Sequence, residues 1–132
     1  DRILKMPYFH KMMIENRICI VVHAGYIEKL EEADTEETYN RLEDFYLYAR
    51  DDAYIYGGIS HGMIIAGHTP TTATEELPYN DGDVYRMYDK ERDCIFYDID
   101  CGCAMSKTRP NAKLACICVE DEKIYYTGRN VF

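Results

Sequence analysis

The chain has 132 residues, room for one domain with a real core, and its 15 Lys and Arg stand against 24 Asp and Glu for a formal net charge of −9. That balance argues against nucleic acid or an anionic membrane surface as a partner. No apolar run approaches the roughly 20 residues of a membrane span and no signal peptide opens the chain, so a cytoplasmic location is expected.

In chain order, Ile3 to Tyr8 reads as the tail of a helix stopped near Pro7. Lys11-Met12-Met13-Ile14, a turn at Glu15-Asn16-Arg17 and Ile18 to Val22 then read as a hairpin feeding the first core strand. That strand is almost continuously apolar and ends at His23-Ala24-Gly25. His10, in a polar-flanked junction, is expected at the surface. An acidic loop leads to a helix from about Thr35 to Arg50, with Asp34 as its cap and Glu37 completing a capping box. Tyr39, Leu42, Phe45, Tyr46 and Ala49 recur at helical spacing and form its inward face. Arg50 stands where this helix ends, and a cation is favourable at a helix carboxyl terminus whether or not a substrate is bound.

Gly57-Gly58 breaks the pattern, and His61 lies in the following loop, ahead of the next strand. Met63-Ile64-Ile65-Ala66 is a second short buried strand, and it stops at Gly67-His68-Thr69-Pro70. A threonine-rich, acidic loop runs from there to about Gly82, placed to border a cleft. The remainder reads as antiparallel sheet: Val84 to Tyr88 with Cys94 to Tyr97, and Leu114 to Val119 with Lys123 to Tyr126. Its many tyrosines suit strands, and no basic residues interleave with them as a nucleic-acid surface requires. Asp98 and Asp100 flank Ile99 before a glycine turn, which they are expected to shape without acting as ligands.

The six cysteines read as reduced thiols. Cys101-Gly102-Cys103 and Cys116-Ile117-Cys118 repeat with the period of a strand rather than the Cys-x2-4-Cys spacing of structural zinc, so buried thiols are expected. Cys19 and Cys94 lie in apolar strand runs. The recurring grammar is elsewhere: two buried strands each deliver a histidine at the carboxyl end, His23 and His68. A neutral imidazole there is a good ligand for a transition metal, and strands side by side could aim both rings at one ion. Taken singly, each histidine is equally a partly buried side chain satisfied by a neighbouring loop.

VVHAG, then the arginine of LYARDDAY, then AGHTP and IDCGCA, in that order, resemble the calcineurin-like metallophosphoesterases, and among them bacterial serine/threonine phosphoprotein phosphatases. The resemblance runs from about Ile3 to Tyr126. It implies an α/β fold, the carboxyl-terminal part of a two-sheet β-sandwich flanked by helices. It implies that His23 and His68 are metal ligands in a site for two divalent transition-metal ions, with manganese expected and iron or zinc as alternatives. Arg50 would grip the substrate phosphate, a role for which a guanidinium's paired hydrogen bonds are suited. The implied reaction is hydrolysis of a phosphate monoester by a metal-bound hydroxide, on a phosphorylated protein or a small phosphate ester. Tyr48 stands where relatives often carry Trp.

The family's GDxHG, GDxxDRG and GNHE motifs, which supply the other ligands, are missing, and residues 1 to 17 contain no Gly and no Asp after Asp1. Residues 1–132 therefore read as the carboxyl-terminal portion of a single domain, expected to be inactive alone. Three other readings stay open: a truncated binding or scaffold domain, a dinucleoside polyphosphate hydrolase and a cysteine-based zinc module.

Overall fold

The computed structural model describes residues 6–28, 35–72 and 82–127. At the centre of its main sheet lie β2 (Arg17–Val22), β3 (Gly62–Ala66) and β5 (Cys94–Asp98). These are parallel neighbours, with Ile20 opposite Ile64 and Ile64 opposite Phe96. Every residue of β3 and β5 is buried, as strands covered on both faces must be. β1 (Phe9–Ile14) and β4 (Tyr85–Asp89) pair antiparallel along the outside, giving the order β1-β2-β3-β5-β4. β4 alternates half-buried with exposed residues, the pattern of an edge.

The expected hairpin into the first core strand is present, turning at Glu15-Asn16 with Arg17 already in β2. Glu15 takes a left-handed conformation (φ 54°), which suits the twist of a tight hairpin. Both carboxyl-terminal hairpins also form, the second as a separate two-stranded sheet of β6 (Ala115–Cys118) and β7 (Lys123–Tyr126). The expectation of a purely antiparallel remainder is corrected, because β5 pairs β4 on one side and runs parallel to β3 on the other. The reason lies in composition: Cys94-Ile95-Phe96-Tyr97 is apolar on both faces and belongs in the middle of a sheet.

Between β2 and β3 the chain crosses over one face through α1 (Glu36–Tyr48) and α2 (Asp51–Ile55). A single helix reaching Arg50 was the expectation; instead the helix stops at Tyr48 and a second one starts after Arg50, with Asp51 and Asp52 in its first turn. Those carboxylates favour a helix amino terminus. The break also lets both helices seat on Gly25, where a Cβ would lie 2.8 Å from Phe45, 3.0 Å from Ala53 and 3.1 Å from Ala49. Only glycine allows that approach. Asp34 and the side chains of Tyr39 and Glu37 lie outside what the structure describes, as do the loop 73–81 and residues 1–5; Met6 to Tyr8 are not helical.

The sheet buries two cores. On the helical face Ile20, Val22, Ile64, Ala66 and Phe96 meet Leu42, Tyr46, Ala49 and Ala53. On the other, Cys19, Met63, Ile65, Ile95 and Tyr97 meet Ile117, Val119 and Ile124 from the small sheet and the turn within it. That small sheet leaves one corner open, where Val21 is 38% exposed. Cys19, Cys94 and Cys101 are buried as expected, but Cys116 is exposed and Cys118 half-buried, because Ile117 between them takes the inward side of β6. His10 is exposed, as expected. Among the described residues no helix is long and apolar enough to cross a membrane.

Candidate functional site

The three parallel strands end at one rim. The Gly67 N–H donates to the His23 carbonyl at 2.9 Å, extending the β2–β3 ladder beyond both strands, and the Ile99 N–H donates to Ala66 O at 2.9 Å on the other side. His68 then turns sharply, with φ 69° and a 2.8 Å hydrogen bond from the Thr69 N–H to Gly67 O. A non-glycine residue in this left-handed region stores about 1–3 kcal/mol, a cost that recurs where side-chain placement matters.

The two imidazoles meet there. His23 Nε2 and His68 Nδ1 are 2.9 Å apart, with ring centroids at 4.7 Å and planes at 65°. One nitrogen donates to the other, so the pair shares a proton between groups that each have a lone pair to offer. Burial holds the His68 pKa below its ordinary value, and the nearby charges of His23 and Arg50 press it further down against an opposing pull from Asp100. The neutral ring, the form that ligates metals, is thereby favoured.

Arg50 is exposed and immediately precedes α2. Its charge reaches the His68 ring. Tyr48, at the end of α1, presents its ring edge-on to His68 at 6.4 Å and helps line a groove of about 350 Å³ with Arg41, Asp44, Phe45, Ala49 and Asp52. His23 and His68, 45 positions apart in the chain, thus meet at one end of the sheet, and Arg50 is near enough for its charge to act on His68. His61 does not join them: it lies ahead of β3, 3.2 Å from Asp93.

Beneath this rim lies a carboxyl that the sequence marked only as a turn residue. Asp98 closes β5, is 1% exposed, and accepts the Tyr54 hydroxyl at 2.5 Å. Its Oδ1 takes the Asp100 N–H at 3.0 Å, and Asp100 Oδ1 takes the Gly102 N–H at 3.0 Å, so both aspartates do shape the turn as expected. Burial pushes the Asp98 carboxyl up to about 7, against the opposing effect of its hydrogen bonds. Burial, the charge of Asp98 and the bond to it push the Tyr54 phenol up as well, while the Thr69 hydroxyl opposes this. No local signal marks this cluster, because Tyr54 lies in a helix 44 residues before Asp98.

The donor set fits a transition metal in part. His23 and His68 bring two ring nitrogens within 2.9 Å of each other, and loss of the proton they share would free both lone pairs for an ion. Among the described residues no group of three His, Cys, Asp or Glu side chains converges to hold an ion, so the imidazoles can fill two positions of a shell and no more.

The site therefore defines a mixed α/β chain with paired imidazoles at the carboxyl ends of adjacent parallel strands. Comparison of the chain with protein-family models, with curated proteins and with solved structures found no match in any of the three.

Proposed function

We propose that this chain carries the histidine-bearing side of a metal-dependent phosphatase site, of the calcineurin-like metallophosphoesterase kind, acting on phosphate monoesters. The observation that carries the reading is the 2.9 Å approach of His23 Nε2 to His68 Nδ1 at the rim of the sheet. Parallel strands covered on both faces keep their ligand sites at this end. On this reading His23 and His68 hold one divalent transition metal through those nitrogens, and manganese, iron and zinc are the candidate ions. Such an ion, when bound, supplies Lewis acidity toward phosphate oxygens and water.

The chain's own residues would do the rest. The lowered pKa of His68 keeps its lone pair available at neutral pH, so less proton competition opposes ligation. Arg50 would take two non-bridging oxygens of the phosphate and offset the charge that grows on them. Tyr48 and the adjoining groove leave room for the group esterified to the phosphate. The small sheet over one face and the helices over the other are in keeping with the two-sheet sandwich of that family. Two imidazoles cannot hold two ions, so the reading places hydrolysis in a polypeptide that also contributes carboxylate ligands of the GDxHG, GDxxDRG and GNHE kind.

Calorimetric titration of the chain with zinc and with manganese tests the assignment. One ion should bind, with affinity falling as pH drops below 6, and both His23→Ala and His68→Ala should abolish binding. Inorganic phosphate should then bind the loaded chain, and Arg50→Ala should weaken it by on the order of 2 kcal/mol without changing metal affinity. Metal binding that survives both histidine substitutions, or that is lost only on replacing cysteines, overturns the reading.

A further inference from the structure

We propose that the Tyr54 hydroxyl is a positioning group for the site, joining the helix that begins at Arg50 to the loop that presents His68. α2 has only five residues, and its amino terminus has no side-chain cap. A helix this short cannot hold itself in place, so its position is set by what it docks against. Ala53 is buried in the core, and the Tyr54 ring packs edge-on against Phe96 at 5.3 Å and Tyr85 at 5.4 Å. These contacts hold α2 down but are apolar and only loosely directional.

The hydroxyl supplies direction. It donates to Asp98 at the end of β5, and the turn after β5 is hydrogen-bonded to both ends of the His68 loop, through the Ile99 N–H to Ala66 O at 2.9 Å and the Thr71 N–H to Asp100 O at 2.8 Å. Asp98 is almost fully buried, so its bond to the hydroxyl is not diluted by solvent. On the helix side, the Ala53 N–H donates to the Arg50 carbonyl at 2.9 Å, which ties the backbone of Arg50 to the turn that carries Tyr54. One hydrogen bond thus links α2 to the end of β5, and through the turn after β5 to the His68 loop. Its consequence is a fixed placement of the Arg50 backbone, from which the guanidinium reaches out, relative to that loop. The inference rests on the phosphatase reading only for what Arg50 binds; the positional link stands without it.

The test uses the whole chain and two readouts. The first is ¹⁵N relaxation of the Arg50 backbone N–H, with no metal added. The second is the affinity of the zinc-loaded chain for inorganic phosphate. Tyr54→Phe keeps the ring contacts and should increase the motion of the Arg50 backbone. It should leave zinc affinity within about twofold, weaken phosphate about tenfold, and add nothing in an Arg50→Ala background, the non-additivity expected when one residue acts through another. Asp98→Asn retains a partner for the hydroxyl and should keep Arg50 ordered. If Tyr54→Phe does not fold, Asp98→Ala removes the acceptor of the hydroxyl and is read the same way. Unchanged Arg50 relaxation in the folded variant, or equal loss of phosphate affinity in both backgrounds, overturns the inference. A chain that binds neither zinc nor phosphate sinks the phosphatase reading, and the relaxation result alone then decides the positional link.

Discussion

Replacing Asp98 by Asn should make this protein more stable at pH 8 and leave it almost unchanged at pH 4. Asp98 is raised by burial from an ordinary value of 3.8 to about 7. The folded state therefore prefers the protonated carboxyl more than the unfolded chain does. A group raised in this way contributes stability that is complete below pH 3.8 and lost as pH rises through 7. At about 1.4 kcal/mol per pH unit, the loss is on the order of 4 kcal/mol. An amide mimics the neutral acid: its oxygen can accept the Asp100 N–H while its nitrogen donates to the Tyr54 oxygen, so neither partner need be orphaned. His68 titrates with the opposite sign. Its lowered pKa makes the folded state lose stability as pH falls through and below the ordinary histidine value of 6.5. That contribution is common to both proteins and cancels in their difference. Urea unfolding of the two chains from pH 4 to 8.5 should give curves that nearly meet at pH 4, separate progressively from there to about pH 7 and keep a constant gap above it. Parallel curves, or a variant less stable at pH 8, would refute the argument that Asp98 is an uncompensated buried acid.

Three further outcomes are expected. His68→Gly relieves a left-handed backbone and should equal or exceed the unaltered chain in stability, while His68→Ala, which keeps a Cβ, should not gain; urea midpoints decide it. Gly25→Ala places a methyl against Ala49 and Ala53, whose Cβ atoms move only with their helices, and should cost about 1–3 kcal/mol by overpacking. An undisturbed melting temperature would show that α1 and α2 shift freely. Brief exposure of the native chain to a thiol-alkylating reagent should label Cys116 first and spare Cys19, Cys94 and Cys101, which are buried and whose thiols burial pushes up; peptide mass spectrometry reads the sites, and early labelling of Cys94 would contradict the sheet order.

The strands were legible wherever a side chain's neighbours in sequence decide its face. Ile18 to Val22 and Met63 to Ala66 carry their burial in composition, and the abrupt His23 and His68 after them marked the rim. The meeting of those two rings was readable because parallel neighbours end together. The helix break beside Arg50 was not legible, since nothing in Tyr48-Ala49-Arg50-Asp51 announces that one helix stops and another starts. Gly25, far upstream, provides the reason through packing. The place of β5 was missed because hairpin logic sees Cys94 to Tyr97 only as a partner of β4, and the pairing with β3 depends on a distant strand. Asp98 was read as a turn residue, which it is; its burial beneath Tyr54 is a tertiary fact with no local trace.

The insertion of β5 between β3 and β4 has a bearing on how the chain folds. β4 and β5 are joined by a short turn and can pair locally, an event of about 1–10 μs for an isolated hairpin. The β3–β5 pairing closes a much longer stretch of chain and must wait for that closure. β5 thus enters the sheet already holding the strand that will become its outer edge, and the hairpin docks as a unit. Only then does the end of β5 come beside the His68 turn, and only then can Asp98 receive the Tyr54 hydroxyl. The rim is assembled by the two long-range pairings of the sheet, Ile20 with Ile64 and Ile64 with Phe96, so substitutions that weaken either should delay the appearance of the site more than that of the hairpin itself.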